Sequence, residues 1–133
     1  MARNKTVLVI DDNPEVVEAL ETFLTTHDFS VISATDGREG VDLAMEQQPD
    51  VVVCDYKMPE FDGLSVLKAL RRHDATVGIP FILFTSHGGP RLANELAKVN
   101  ATAYLDKGDD PEELVDVIEH VLEEGTLNGN GKE

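Results

Sequence analysis

A single cysteine in 133 residues, Cys54, cannot build a disulfide framework or a cysteine-based zinc site. It lies inside the run Val51-Val52-Val53-Cys54, where a small buried core residue is expected. The histidines, His27, His73, His87 and His120, show no spacing with cysteine or acid that suggests zinc. No stretch approaches the ~18 to 20 apolar residues of a membrane span, and the opening Met-Ala-Arg-Asn-Lys lacks the apolar segment of a signal peptide. A soluble, cytoplasmic chain is therefore expected. Basic residues are scarce too: 11 Lys and Arg stand against 26 Asp and Glu, and the formal net charge of −15 repels nucleic-acid phosphates and anionic membranes. Neither direct nucleic-acid binding nor membrane contact is expected. There is no internal repeat and no interdomain linker, and the length fits one domain with no room for a second folded output domain.

What is present is a regular alternation. Thr6–Ile10 is a short apolar run that ends in Asp11-Asp12-Asn13-Pro14. Asn13 suits a helix N-cap and Pro14 the first helical position; Val16, Val17, Leu20, Phe23 and Leu24 then recur at helical spacing to about His27. Residues 29–34 alternate weakly, as an edge strand does. Thr35-Asp36-Gly37 turns into a second helix with Val41, Leu43, Ala44 and Met45 inward. Val51–Cys54 reads as a fully buried strand that delivers Asp55 to its carboxyl end, and Pro59 and Gly63 delay the next helix. That helix runs from about Leu64 to His73, with Leu64, Leu67 and Leu70 buried and Lys68, Arg71 and Arg72 in water. Phe81–Phe84 is a strand ending in Thr85-Ser86, followed by a loop at His87-Gly88-Gly89-Pro90 and a modest helix closed near Asn100. Ala103–Asp106 is a final strand with Lys107 at its end, and Pro111 opens a helix with an apolar face at Leu114, Val115, Ile118, Val121 and Leu122. Residues 125–133 read as a disordered polar tail.

Such alternation predicts an α/β fold, a doubly wound parallel sheet of five strands with five helices on its two faces. In such sheets ligands bind at the carboxyl edge, and the polar residues at the strand ends should converge there. Asp11, Asp12 and Asp55 would repel one another, so the cluster is expected to hold a hard divalent cation through oxygen ligands, as Mg²⁺ (or Mn²⁺) is held. A cation, a hydroxyl from Thr85 and the ammonium of Lys107 together suit a phosphoryl group, with Asp55 as nucleophile.

In this arrangement the chain resembles the receiver domain of two-component response regulators, which is CheY-like. The resemblance covers about residues 5–124. It rests on Asp11-Asp12 after the first strand and Asp55-x-x-Met58-Pro59-x-x-Asp62-Gly63 after the third. Thr85-Ser86 after the fourth and Tyr104-x-x-Lys107 after the fifth complete it. It implies a flavodoxin-like sheet of order 2-1-3-4-5. It also implies that Asp55 accepts a phosphoryl group from a sensor histidine kinase or phosphotransfer protein. Asp12 and Asp55 would ligate Mg²⁺ with the backbone carbonyl of Lys57, and Asp11 would act mainly through water. Thr85, Ser86 and Lys107 would bind the phosphoryl oxygens. Tyr104 would swing inward as Thr85 moves, signalling to a downstream effector protein. By the same resemblance such a domain is no enzyme beyond its own phosphorylation and dephosphorylation.

Two places depart from the family pattern: Lys107 is followed by Gly108 instead of proline, and Lys57 and His87 stand where the family tunes phosphoryl lifetime. Three other readings compete. An aspartate-nucleophile phosphatase of the haloacid dehalogenase type needs an acid two residues after the nucleophile, where this chain has Lys57. A flavin carrier needs Gly, Ser or Thr after the first strand, where this chain is acidic. An unphosphorylated interaction module of receiver shape would not need the full set of acceptor residues.

The acid excess is larger than one carboxylate site requires. It reads as a well-solvated surface or as adaptation to high salt. The second reading predicts that Tm climbs as NaCl rises from about 0.1 M to 1 M, where the screening length falls from about 10 Å to 3 Å; a flat or falling Tm removes it.

Overall fold

The apolar runs of the sequence form the middles of the strands. The computed structural model describes residues 4–86, 89–98, 103–108 and 110–124. Strands β1 (Thr6–Ile10), β2 (Ser30–Ala34), β3 (Val51–Cys54), β4 (Phe81–Thr85) and β5 (Ala103–Asp106) alternate with five helices. These are α1 (Pro14–Thr25), α2 (Gly37–Gln47), α3 (Gly63–Arg71), α4 (Pro90–Lys98) and α5 (Pro111–Glu124). All pairings are parallel, in the order β2-β1-β3-β4-β5, which is the flavodoxin-like doubly wound sheet expected.

Period-2 alternation divides the core between the two faces. Val7, Val9, Val51, Val53, Ile82 and Phe84 pack toward α1 and α5. Leu8, Ile10, Val52, Cys54, Phe81 and Leu83 pack toward α2, α3 and α4. Because β1, β3 and β4 are covered on both sides, their sequences are unbroken apolar runs. Strand β2, at the edge, is mostly half-buried, which accounts for its weaker pattern.

Side-chain caps set the helix starts. Asn13 accepts from the Glu15 N–H, Asp36 from Glu39 and Asp62 from Ser65. Helix α1 stops at Thr25, short of His27, because Asp28 takes φ 71° and the Phe29 N–H returns to the Leu24 carbonyl. Helix α3 ends at Arg71, also earlier than its periodicity suggests.

Three side-chain assignments differ from expectation. Arg71 is half-buried instead of facing water: its guanidinium donates to the Val77 and Ile79 carbonyls at 3.1 and 2.9 Å and closes the loop into β4. Burial lowers its pKa. On α3, Val66 is fully buried while Leu64 is half-buried. On α2 the innermost positions are Gly37, Gly40 and Ala44, and Val41, Leu43 and Met45 are half-buried. The small residues let the helix lie close: a Cβ at Gly40 would collide with Ile10. Asn100, His87 and the tail at 125–133 lie outside the described residues. Among those described, no helix is long and apolar enough to cross a membrane.

A Cβ at Gly63 would lie 2.5 Å from the Asp55 carbonyl oxygen and 2.9 Å from the Tyr56 Cα, both backbone atoms, whereas one at Gly78 meets nothing within 4 Å. Gly63→Ala should therefore cost about 2 to 3 kcal/mol in urea unfolding and Gly78→Ala next to nothing; equal effects would refute the packing argument. His27 ties α1 to α5, with Nδ1 3.0 Å from the Phe23 carbonyl and Nε2 3.6 Å from Glu112 Oε1. The Phe23 carbonyl, and then Glu112, raise its pKa above 6.5 despite desolvation. A histidine with a raised folded pKa stabilises fully below its unfolded value and loses that contribution as pH rises through the folded one. The stability of wild type relative to His27→Gln should thus be largest below pH 6.5 and shrink above it; a difference independent of pH would count against the tie.

Candidate functional site

Strand register places the acidic residues side by side. Ile10 pairs with Cys54, so Asp11 and Asp55 emerge together one residue later. The ladder continues past the strand ends: Asp11 N–H donates to Ala34 O, Asp55 N–H to Ile10 O and Lys107 N–H to Thr85 O, at 3.2, 2.9 and 3.1 Å. The backbone at the carboxyl edge is therefore fixed at the ends of β1, β3 and β5.

Asp11 and Asp55 are 3% and 7% exposed, while Asp12 faces solvent. One carboxylate oxygen from each of the three lies within 4.8 Å of the others. The other contacts are divided economically. Asp11 Oδ1 accepts from the Asn13 N–H at 3.0 Å and Asp55 Oδ1 from the Tyr56 N–H at 2.7 Å. Lys107 Nζ donates to Asp11 Oδ2 at 2.6 Å and stands 3.5 Å from Asp55 Oδ2. Three carboxylates against one ammonium leave an excess of negative charge. Burial accordingly pushes the Asp11 carboxyl above its ordinary value of 3.8, although Lys107 and the Asn13 N–H pull it down. An acid raised in the folded state loses stability as pH rises from 3.8 through its folded pKa, so ionised Asp11 is a cost at neutral pH. The clustered oxygens suit a hard cation, which would offset that cost: Asp11, Asp12 and Asp55 can coordinate a divalent metal.

Other expected residues are distributed around this centre. Thr85 is fully buried at the end of β4 and Ser86 is exposed beside it. Leu83 pairs with Tyr104, so Thr85 and Tyr104 lie on the same face of the sheet. The half-buried Tyr104 packs against the core, and its hydroxyl accepts from the Gly89 N–H at 3.0 Å, just before α4. Lys57 is exposed in the loop and Met58 is buried. The Lys107–Gly108 bond is trans, and Gly108 does not use a positive φ; its N–H donates to Asp106 Oδ1 at 2.8 Å. Cys54 is no rival nucleophile, because burial and the neighbouring acids hold its thiol well above the ordinary range. Sequence reasoning overlooked Arg38 and Phe61, whose guanidinium and ring meet beside Asp12; no spacing signals a contact between a helix start and a separate loop.

Comparison with known proteins agrees with this geometry. The response regulator receiver domain family matches residues 7–119. Protein PilH of Pseudomonas aeruginosa is 33% identical over 116 residues, covering 87% of this chain and 96% of its own. The DNA-binding dual master transcriptional regulator RpaA of Synechocystis is 32% identical, but this chain spans only 48% of its length, and only 25% of Escherichia coli regulatory protein AtoC. Among solved structures, chemotaxis protein CheY4 of Vibrio cholerae superposes with a TM-score of 0.84 at 29% identity, over 89% of this chain and 98% of its own. A response regulator from Chloroflexus aurantiacus gives 0.84 at 30%, over 91% and 99%. The strand-end acids, the lysine that bridges two of them and the match over nearly the whole chain place this protein in the response regulator receiver domain family.

Proposed function

We propose that residues 5–124 act as a phosphoacceptor switch: Asp55 takes a phosphoryl group from a phosphohistidine on a sensor histidine kinase or phosphotransfer protein. The observation that carries this is the contact set of Lys107, whose ammonium reaches both buried carboxylates at 2.6 and 3.5 Å. A cation beside an acceptor carboxylate is what a transferring phosphoryl group needs. Family members do not turn over an external substrate; their chemistry is confined to gaining and losing their own phosphoryl group.

Asp55 Oδ2 attacks phosphorus, a P–O bond forms as the P–N bond breaks, and the imidazole leaves as the neutral ring once protonated. The Tyr56 N–H holds the other oxygen of Asp55, which fixes the carboxylate plane during attack. Asp12 and Asp55 would hold Mg²⁺ (or Mn²⁺) with the Lys57 carbonyl, and Asp11 would do so through water. The cation supplies charge neutralisation for the phosphoryl oxygens. Lys107 exchanges part of its contact with Asp11 for the new oxygens, Thr85 donates its hydroxyl to them, and Ser86 leaves room for them. Movement of Thr85 frees the space into which Tyr104 turns, and this alters the surface around α4 that a downstream effector protein reads.

Two measurements test the reading. With Mg²⁺ and phosphoramidate, wild type should gain one hydroxylamine-labile phosphoryl group and Asp55→Asn none; steady hydrolysis of phosphate esters would instead favour a phosphatase. At a Mg²⁺ concentration a hundredfold above Kd, wild type should gain about 2.7 kcal/mol of stability, and Asp12→Asn far less. Equal gains would exclude the acid cluster as the cation site.

A further inference from the structure

The loop that follows Asp55 contains a turn that its hydrogen bonds alone do not explain. Glu60 has φ 69°, and the Phe61 N–H donates across it to the Pro59 carbonyl at 2.7 Å. An i to i+2 bond around a positive φ is the strained form of the γ-turn, and a glutamate bears a cost there that glycine would not. Such a turn persists only where its surroundings over-determine it. Here the surroundings come from α2. A Cβ at Gly37 would lie 2.5 Å from the Phe61 carbonyl oxygen and 2.6 Å from Phe61 Cδ2, so the loop sits directly on the first residue of that helix. Arg38, the next residue, places its guanidinium carbon 5.0 Å from the centroid of the Phe61 ring. Beyond the turn, the Gly63 N–H donates to the Tyr56 carbonyl at 2.8 Å and closes the loop behind Asp55. Asp12, Arg38, Pro59 and Glu60 share the wall of one cavity of about 320 Å³, so the clamp and the acid cluster are neighbours.

We propose that Arg38 is a positioning residue for the chemistry of Asp55. It acts through Phe61: the cation–π contact, seated on Gly37, holds the strained Pro59–Phe61 turn shut. The closed turn in turn fixes the segment from Asp55 to Met58, which presents the acceptor carboxylate and the Lys57 carbonyl. Arg38 touches none of the reacting groups. This role rests on the reading of Asp55 as a phosphoacceptor beside a cation.

The test separates loop closure from charge. In cation-free protein, Arg38→Ala should speed hydrogen exchange of the Phe61 and Gly63 amides by about two- to fivefold, the range an exposed cation–π contact supports, and leave the amides of β1 and β3 unchanged. Calorimetry should show Mg²⁺ binding weakened by a similar factor. Loss of a positive charge near the acids would by itself tighten Mg²⁺ binding, so weakening identifies a geometric effect. Adding Glu60→Gly removes the cost of the positive φ and should restore the exchange rates of Phe61 and Gly63. Unchanged exchange at Phe61, equal acceleration at every amide, tighter Mg²⁺ binding, or no restoration by Glu60→Gly would each overturn the proposal. Failure of wild type to bind Mg²⁺ would instead sink the phosphoacceptor reading, and with it the role of Arg38; an unaltered exchange pattern distinguishes that failure from an open loop.

Discussion

Two nearly inaccessible carboxylates, Asp11 and Asp55, share one ammonium, and the rest of the carboxyl edge is built to hold them there. Leaving a buried carboxylate without a partner costs on the order of several kcal/mol. Lys107 meets part of that cost, the Asn13 and Tyr56 N–H groups meet more, and the clustered carboxylates that remain can coordinate a cation. Such an arrangement needs firm backbone positions, because a shift of one ångström would break the 2.6 Å bond to Lys107. The ladder bonds that run one residue past β1, β3 and β5 provide them.

The flanking loops divide the work between rigidity and connection. Behind Asp55, Gly63 packs against the Asp55 carbonyl so closely that no side chain fits, which ties the start of α3 to the acid. On the other side, the Tyr104 hydroxyl links β5 to Gly89 and the start of α4. One side of the site is therefore pinned by backbone contact. The other is joined through the side-chain hydrogen bond between the Gly89 N–H and Tyr104, the kind of link that can be exchanged.

The sheet and the acid centre were legible because both depend on local rules. Unbroken apolar runs mark strands covered on two faces, and the residue after such a run falls at the carboxyl edge; Asp11, Asp55 and Lys107 were found this way. What escaped depends on contacts between segments distant in sequence. Arg71 looked like an exposed helix residue because the carbonyls it binds belong to the loop beyond the helix. Gly40 is inward because of Ile10, and Val66 is inward because the face of α3 is rotated from the one its leucines suggest. The meeting of Arg38 and Phe61 has no signature in spacing at all.

The parallel register has a consequence for how this chain can vary. Side chains alternate between the two faces with a period of two, and Asp11, Asp55 and Lys107 share a parity that Cys54 and Leu83 do not. One residue added to or removed from β3 would keep an apolar run, still bury its valines and still form a sheet, yet would turn Asp55 toward α3. The site is thus sensitive to odd-numbered length changes to which the core is indifferent. Length variation in this chain can be absorbed in the connections, while the strands must keep their count.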